Sequence, residues 1–377
     1  MKLTCSRRDL HEAVQIVGRA AATQAPLPVL NHILLSCGAG DLSLMASDSN
    51  LSARTTVACE GSLNEAVTAP AKTFTEIVSS LPDGPMELES GPRHTLFVRQ
   101  GEIEFELKGL PGDEFPSIPV VHAPGEQALK VRIGQRAIRR LLRQTLFAVS
   151  PDPTRVQYTG VLFEQERGVF RLVATDGGVR VAMASEPVEE HCSNISTIVP
   201  ARTVTEFARI LKPDSEDPAE IYFRNDPAGP TLASFEANGV TLVSRLIEGQ
   251  FTPWRRFASL GWTERATVKC ADILAALRRM SIVAQDDRHL VQMSLEGESL
   301  HLTCQSPTLG RAEETIAVLT EGDRILIALH GRFLSEAIAA MEEEGCRIEL
   351  TSELAPCVVR PLAGDHFLYV QSPMHLR

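Results

Sequence analysis

One apolar stripe occurs three times in this chain at a constant interval of 130 residues. Phe74, Ile77, Val78 and Leu81 follow Pro70-Ala71-Lys72-Thr73; Val204, Phe207, Ala208 and Leu211 follow Pro200-Ala201-Arg202-Thr203; Leu334, Ala337, Ile338 and Met341 complete the series. The spacing i, i+3, i+4, i+7 is one face of an amphipathic helix. A second helical stripe precedes each: Leu10/Ala13/Val14/Val17, Ile138/Leu141/Leu142/Thr145 and Ile273/Ala276/Leu277/Met280. Between the two helices of each copy, an alternating strand pattern ends in a turn-forming residue: Leu42 to Asp48, Phe170 to Asp176 and Leu300 to Ser306. An interval this long exceeds solenoid repeats of about 20 to 50 residues. The chain therefore reads as three copies of a globular α+β domain, each with two helices packed on antiparallel sheet.

Breaks in the pattern place the boundaries. Pro and Gly interrupt it through Gly112-Asp-Glu-Phe115-Pro116-Ser-Ile-Pro119 and His122-Ala-Pro-Gly-Glu126, and again at Gly249-Gln-Phe251-Thr-Pro253-Trp254. The expected domains are 1–124, 125–253 and 254–377. Runs such as Thr95 to Leu107 and Gly239 to Leu246 read as antiparallel strands and hairpins.

Charge and chemistry narrow the function. Lys and Arg number 37 against 48 Asp and Glu, and the net charge of −11 opposes nonspecific attraction to a polyanion over the whole surface. A polyanionic partner must meet a local patch. The segment 134–148 carries Arg136, Arg139, Arg140 and Arg143 and no acid, with Arg136, Arg140 and Arg143 on one face. Lys72, Arg202, Arg209, Lys212, Arg278 and Arg279 lie on the other repeated helices, whereas the last repeat's second helix, with Glu336, Glu342, Glu343 and Glu344, departs from the basic pattern. A surface facing phosphates and a plainly solvated helix face both account for these cations.

No apolar run reaches the ~18 residues of a membrane span, and a cytoplasmic protein is expected. The eight cysteines show no CxxC pair and read as reduced, mostly buried small hydrophobes, with no metal, cofactor or disulfide. Walker loops, Gly-x-Ser-x-Gly elbows and metal-spaced histidines are absent. Asp48 and Asp176 are the most catalytic-looking acids, but the third copy has Ser306 in their place, which favours a turn role over an enzyme.

The whole chain resembles the bacterial DNA polymerase III beta subunit, the replicative sliding clamp. Met1-Lys-Leu-Thr4, Leu27-Pro28-Val29-Leu30, Leu44 to Asp48, Val173-Ala-Thr-Asp-Gly177, Val199-Pro200, Arg255-Arg256 and Tyr369 to Leu376 carry the likeness, through their order and spacing. The resemblance implies the DNA clamp fold and a head-to-tail homodimeric ring with helices inside and sheets outside. It implies a processivity factor without a catalytic site, whose partners are duplex DNA held without sequence readout, the DNA polymerase III alpha subunit, a clamp loader complex and other proteins bearing a clamp-binding motif. The DNA-facing cations would be Lys72, Arg136, Arg140, Arg143, Arg202, Arg209, Arg278 and Arg279. The dimer interface would pack Phe105 and Leu107 on Ile282 and Val283. A strand buried wholly within its own sheet also fits the alternation of Ile103, Phe105 and Leu107 with Glu102, Glu104, Glu106 and Lys108. Acids where better-known members carry bases, with Arg311, Glu313 and Glu314 on the opposing segment, suggest a charge code against mixed rings.

A partner-peptide groove carried over position by position comprises Arg155, Tyr158, Thr175, Gly177, Val181, Arg256, Phe257, Leu354, Pro356, Val370, Pro373, Met374 and Leu376. The chain departs from the family pattern in several places: one extra residue in Gly178-Val179-Arg180-Val181, Ser372 for a Met, His375 for an Arg, and Gln24 where some members contact DNA with Arg. A specialised second clamp copy, for instance an inhibitor-tolerant one, and a protein scaffold that binds no DNA are the alternative readings.

Overall fold

The computed structural model describes residues 2–38, 40–63, 65–121, 129–189, 194–224, 226, 229–285 and 288–375. The expected boundary segment His122 to Glu126 lies outside them, as do Cys192 and Leu376. Among the described residues there are seven helices: α1 (Arg7–Gly18), α2 (Ala71–Ser80), α3 (Gln135–Leu146), α4 (Ala201–Ile210), the single turn α5 (Arg255–Ala258), α6 (Cys270–Ala284) and α7 (Gly331–Ala339). None is long and apolar enough to cross a membrane.

The stripes read from the sequence form the buried helix faces. Leu10, Val14 and Val17 of α1, and Phe74 and Val78 of α2, are fully buried, as are Ile273, Ala276, Leu334 and Ala337 of α6 and α7. The last stripe residue of the second helices falls just past the helix end: Leu81, Leu211 and Met341 are buried where the chain leaves its helix. Glu342, Glu343 and Glu344 consequently lie beyond α7, in the turn before strand Gly345–Leu350.

The alternating pattern of each repeat forms a strand, Asp41–Ser47, Val169–Thr175 and Ser299–Ser306, and the same side-chain chemistry closes the turn after this marker strand in every repeat. Asp48 Oδ1 accepts the N–H groups of Asn50 and Leu51 at 2.9 and 2.8 Å. Asp176 Oδ1 accepts those of Gly178, Val179 and Arg180 at 3.0, 2.8 and 3.1 Å. Ser306 Oγ accepts those of Thr308 and Leu309 at 3.1 and 2.9 Å. One short acceptor side chain satisfying two or three turn amides is why Asp and Ser exchange here.

The chain forms two compact units, Met1–Arg136 with Thr205–Leu246, and Ala137–Val204 with Ile247–Arg377, so the middle repeat is shared between them. The first unit holds a twelve-stranded antiparallel sheet. Its outermost strand, Ile103–Lys108, is followed by Thr95–Gln100, Pro85–Ser90, Lys2–Ser6 and the eleven-residue strand Leu51–Gly61. That long strand then pairs with Val240–Arg245 of the middle repeat in the register Thr241↔Arg54 to Ser244↔Leu51. Phe207 packs on Phe235 at 5.1 Å beneath this part of the sheet.

The second unit holds a nine-stranded and a four-stranded sheet. In the larger one, strand Arg180–Pro187 of the middle repeat pairs with Phe367–Gln371 of the last, Val181↔Val370 and Met183↔Leu368 among the partners. Gly310–Ala317 is an outermost strand of the smaller sheet. Tyr369 is fully buried, and its hydroxyl donates to Gln371 Oε1 at 2.9 Å.

Of the cysteines, Cys5, Cys270, Cys304, Cys346 and Cys357 are buried, whereas Cys37 and Cys59 are only half-buried, with their sulfurs 3.8 Å apart.

Phe74 has no exposed surface, so Phe74→Ala leaves a cavity in the first unit. It is expected to lower stability by about 3–5 kcal/mol, measured as the shift of the first unit's transition in a urea melt.

Candidate partner-peptide groove and basic helix faces

The junction strands Arg180–Pro187 and Phe367–Gln371 build an apolar cluster in the second unit. Val181, Met183, Leu368 and Val370 meet Leu162, Val173, Ile198, Trp254 and Val358, with Ile247, Phe251, Phe257, Ala258 and Leu260 packed against them. Of the thirteen residues expected to line the groove, Val181, Val370 and Phe257 are in this cluster. Tyr158 adjoins it, its ring edge-on to Phe251 at 6.0 Å and its hydroxyl 2.8 Å from Thr252 Oγ1. Gly177 sits against Tyr158: its φ is +76°, and a Cβ there would stand 2.3 Å from the tyrosine ring. Only glycine permits both the left-handed turn and the close approach.

The other expected residues play different parts. Thr175 is buried and shapes the turn, donating to the Arg180 carbonyl at 2.7 Å and accepting the Gly177 N–H at 3.0 Å. Arg155 reaches the Gly177 carbonyl at 3.4 Å and Asp152 at 3.3 Å. Arg256 is exposed, its guanidinium over the Phe257 ring at 4.7 Å. Pro356, Pro373 and Met374 are half-buried, and the Met374 N–H donates to the Ala328 carbonyl at 2.8 Å. Leu354 is 76% exposed and stands outside the cluster.

The sequence reading missed Phe251, Trp254 and Leu260. Phe251 and Trp254 lie in the Pro- and Gly-rich stretch read as a linker and Leu260 just beyond it, where apolar residues have no periodicity to betray burial. The Trp254 indole N–H donates to the buried Glu164 carboxylate at 3.1 Å, and Arg255 pairs with the same carboxylate at 3.2 Å. The linker is thereby clamped to the sheet.

A column of rings lies beside the turn. The Arg180 guanidinium covers the Phe333 ring at 3.9 Å and pairs with Glu336 at 2.7 Å. Phe333 stacks on His330 at 3.7 Å, and the His289 ring is 5.2 Å from His330. His330 Nδ1 accepts the Phe333 N–H at 3.3 Å and so caps α7. An acceptor nitrogen must be unprotonated. The imidazole is pushed down to about 4, by burial first and then by His289 and Arg180, with Glu336 opposing.

The basic residues are mostly exposed, but carboxylates reach them, from other elements at Arg136, Arg140, Arg143 and Arg279 and from the same helix at Lys72 and Arg209. Arg136 approaches Glu216 at 3.9 Å, Arg143 meets Glu342 at 2.8 Å, Arg209 meets Glu206 at 2.5 Å and Arg279 meets Glu314 at 2.8 Å. Arg140 pairs with Glu186 and is only partly exposed, and Lys72 approaches Glu76 at 4.0 Å. Arg202 and Arg278 are exposed. Exposed pairs of this kind contribute at most about 1 kcal/mol each and can exchange a carboxylate for a phosphate.

Of the residues expected at the dimer interface, Ile282 is 63% exposed, and Val283 and Phe105 are half-buried. Leu107 is covered within its own unit at 7% exposure, leaving Ile103, at 42%, as the more open apolar residue of that strand.

Comparisons with known proteins agree along the whole chain. Residues 1–119, 132–253 and 261–375 match, in order, the N-terminal, central and C-terminal domains of the DNA polymerase III beta subunit. The beta sliding clamp of Synechococcus elongatus is 29% identical, with all of both chains covered. That of Bacillus subtilis is 28% identical over 96% of each. The crystal structure of the B. subtilis DNA polymerase sliding clamp superposes with a TM-score of 0.92 at 26% identity, covering both chains fully. Three clamp domains in tandem, spanning the full length of solved sliding clamps, define the class: this is a sliding clamp, an α+β protein of the DNA clamp fold. The chain belongs to the DNA polymerase III beta subunit family, a family of processivity factors.

Because the folded-state value of His330 lies below its ordinary 6.5, the unfolded chain binds the proton more tightly. Its contribution to stability is complete above about pH 6.5 and is lost as pH falls toward 4. The melting temperature of the second unit should therefore drop over that window, and His330→Asn, which keeps a capping acceptor but cannot titrate, should flatten the drop.

Proposed function

We propose that two copies close head to tail into a ring around duplex DNA and tether the DNA polymerase III alpha subunit, and other proteins carrying a clamp-binding peptide, to the template in the cytoplasm. The observation that carries this reading is the likeness to sliding clamps over the full length of the chain, domain by domain. Domain boundaries near residues 124 and 253 divide each copy into three, so that six domains complete the ring. No catalytic site is needed. Threading supplies the hold, while weak contacts between the helical cations and phosphates let the ring slide, as tight base readout would not.

Closure needs a sheet edge from each copy. Ile103–Lys108 and Gly310–Ala317 are outermost strands, and an unpaired edge is a ready template for another chain. Ile103 and Phe105 on one side and Ile282 and Val283 on the other supply apolar surface. Around them stand Glu102, Glu104, Glu106 and Lys108, and on the other edge Arg311, Glu313 and Glu314. Arg99 already holds Glu104, and Arg311 holds Glu313 at 2.9 Å, so the acids are partly neutralised within each copy. Such a pattern would disfavour mixed rings with clamps of opposite edge charge. An ATP-driven clamp loader supplies the work of opening.

Loaded onto a nicked circular plasmid with clamp loader and ATP, the protein should stay bound and should slide off when the circle is cut; equal retention on circle and line would refute encirclement. Substituting Arg136, Arg140 and Arg143 together by Ala should shorten retention on the circle and make it less dependent on salt, because fewer phosphates are neutralised, without dissociating the dimer in sedimentation. Deleting Pro373 to Arg377 should abolish binding of the alpha subunit's C-terminal peptide, read by fluorescence anisotropy, while the dimer persists.

A further inference from the structure

Alternate residues of a strand share a face. On Arg180–Pro187 the face carrying Met183 and Val181 belongs to the apolar cluster, and on Phe367–Gln371 so does the face carrying Leu368 and Val370. The two strands are in register, Met183↔Leu368 and Val181↔Val370. Two residues further along each strand stand Val179 and Ser372, and the Ser372 N–H donates to the Val179 carbonyl at 2.7 Å, which carries the pairing past the last ladder partners. The face thus has a third rung. Met183, Val181, Leu368 and Val370 are at most 6% exposed, whereas Val179 is 39% exposed.

Val179 is not a loose loop residue. Asp176 Oδ1 binds its N–H and those of both neighbours, Thr175 Oγ1 closes the turn onto the Arg180 carbonyl, and the Ser372 hydroxyl donates to the Gly178 carbonyl at 3.4 Å. Backbone bonds fix the residue while its side chain stays uncovered. A rigidly held apolar side chain at the open end of a buried apolar face is preorganised to receive an apolar ligand group. Basic charge borders the turn and the cluster: Arg155 binds the Gly177 carbonyl, and the exposed Arg256, on the Phe257 ring that packs against the cluster, has no carboxylate partner among the described residues.

We propose that Val179 is a specificity-determining wall of the partner-peptide groove. It packs against a bulky aliphatic or aromatic side chain of an extended, acid-flanked peptide seated over Val181 and Val370, and the small Ser372 beside it leaves the outer rung wide enough for that side chain. The inference rests on the peptide-groove reading above.

The test uses the full-length clamp and a fluorescein-labelled C-terminal peptide of the DNA polymerase III alpha subunit of the same organism, together with versions in which each bulky apolar residue is replaced singly by Ala. Val179→Ala should weaken the native peptide by about five- to fifteenfold, the upper end being the scale of two fully buried methyl groups, and should leave unchanged the affinity for one of the Ala versions, which identifies the side chain that Val179 touches. Ser372→Leu should weaken the native peptide more than that same Ala version. Wild-type binding that both variants reproduce for every peptide, or a loss shared equally by all peptides, would overturn the role of Val179 and leave the groove standing. Failure of the wild-type clamp to bind the native peptide would overturn the groove and Val179 together.

Discussion

Backbone pairing across the repeat junctions is the constraint on which the rest of this molecule depends. A duplicated domain could have ended its sheet where its sequence ends, but here Leu51–Gly61 pairs with Val240–Arg245, and Arg180–Pro187 pairs with Phe367–Gln371. The edges that would otherwise lie open at each junction are consumed by neighbouring repeats, which removes the hazard of unpaired strands. The second junction also creates the apolar cluster, because Val181 and Met183 find Val370 and Leu368 only through that register. A slip of one residue would turn all four side chains to the opposite face. The candidate groove is thus a product of how two repeats are joined, and neither repeat contains it alone.

The turn after the marker strand ties this junction to its surface. In the middle repeat Asp176 binds the amides of Gly178, Val179 and Arg180, so the device that closes the turns after Asp48 and Ser306 here holds a turn one residue longer. The amide of Arg180, four residues on from Asp176, closes the turn around Gly178-Val179. Rigid backbone and an uncovered side chain coexist there because the hydrogen bonds are made by the main chain, leaving the side chain free for another molecule.

Electrostatics follow a different logic from the one composition suggests. The segment 134–148 contains only basic charge, yet Glu186, Glu216 and Glu342, distant in sequence, come to its arginines in the fold. An acidic protein can in this way carry basic helices without a strong standing field. The carboxylates keep the guanidiniums in place, and the small free energy of an exposed pair makes them easy to replace by phosphate oxygens.

The three repeats, their helices, the turn residues Asp48, Asp176 and Ser306, and the family were legible in the order of residues alone. All of these are local in the chain or repeat along it: an apolar period survives without knowledge of its partner, and an Asp at the end of a strand announces its turn. The stripes misplaced only the helix ends, since Leu81, Leu211 and Met341 are buried after the helix has stopped. Folding was needed for whatever two distant segments make together: the junction register, the burial of Phe251 and Trp254 in a stretch read as linker, the covering of Leu107 within its own unit, the carboxylates on Arg136, Arg140 and Arg143, and the Arg180–Phe333–His330 column. Each depends on contacts between residues far apart in sequence, which leave no period in either segment. The reason is physical: local hydrogen bonding and helical spacing are written in consecutive residues, whereas desolvation and charge pairing belong to surfaces that exist only after the chain has folded.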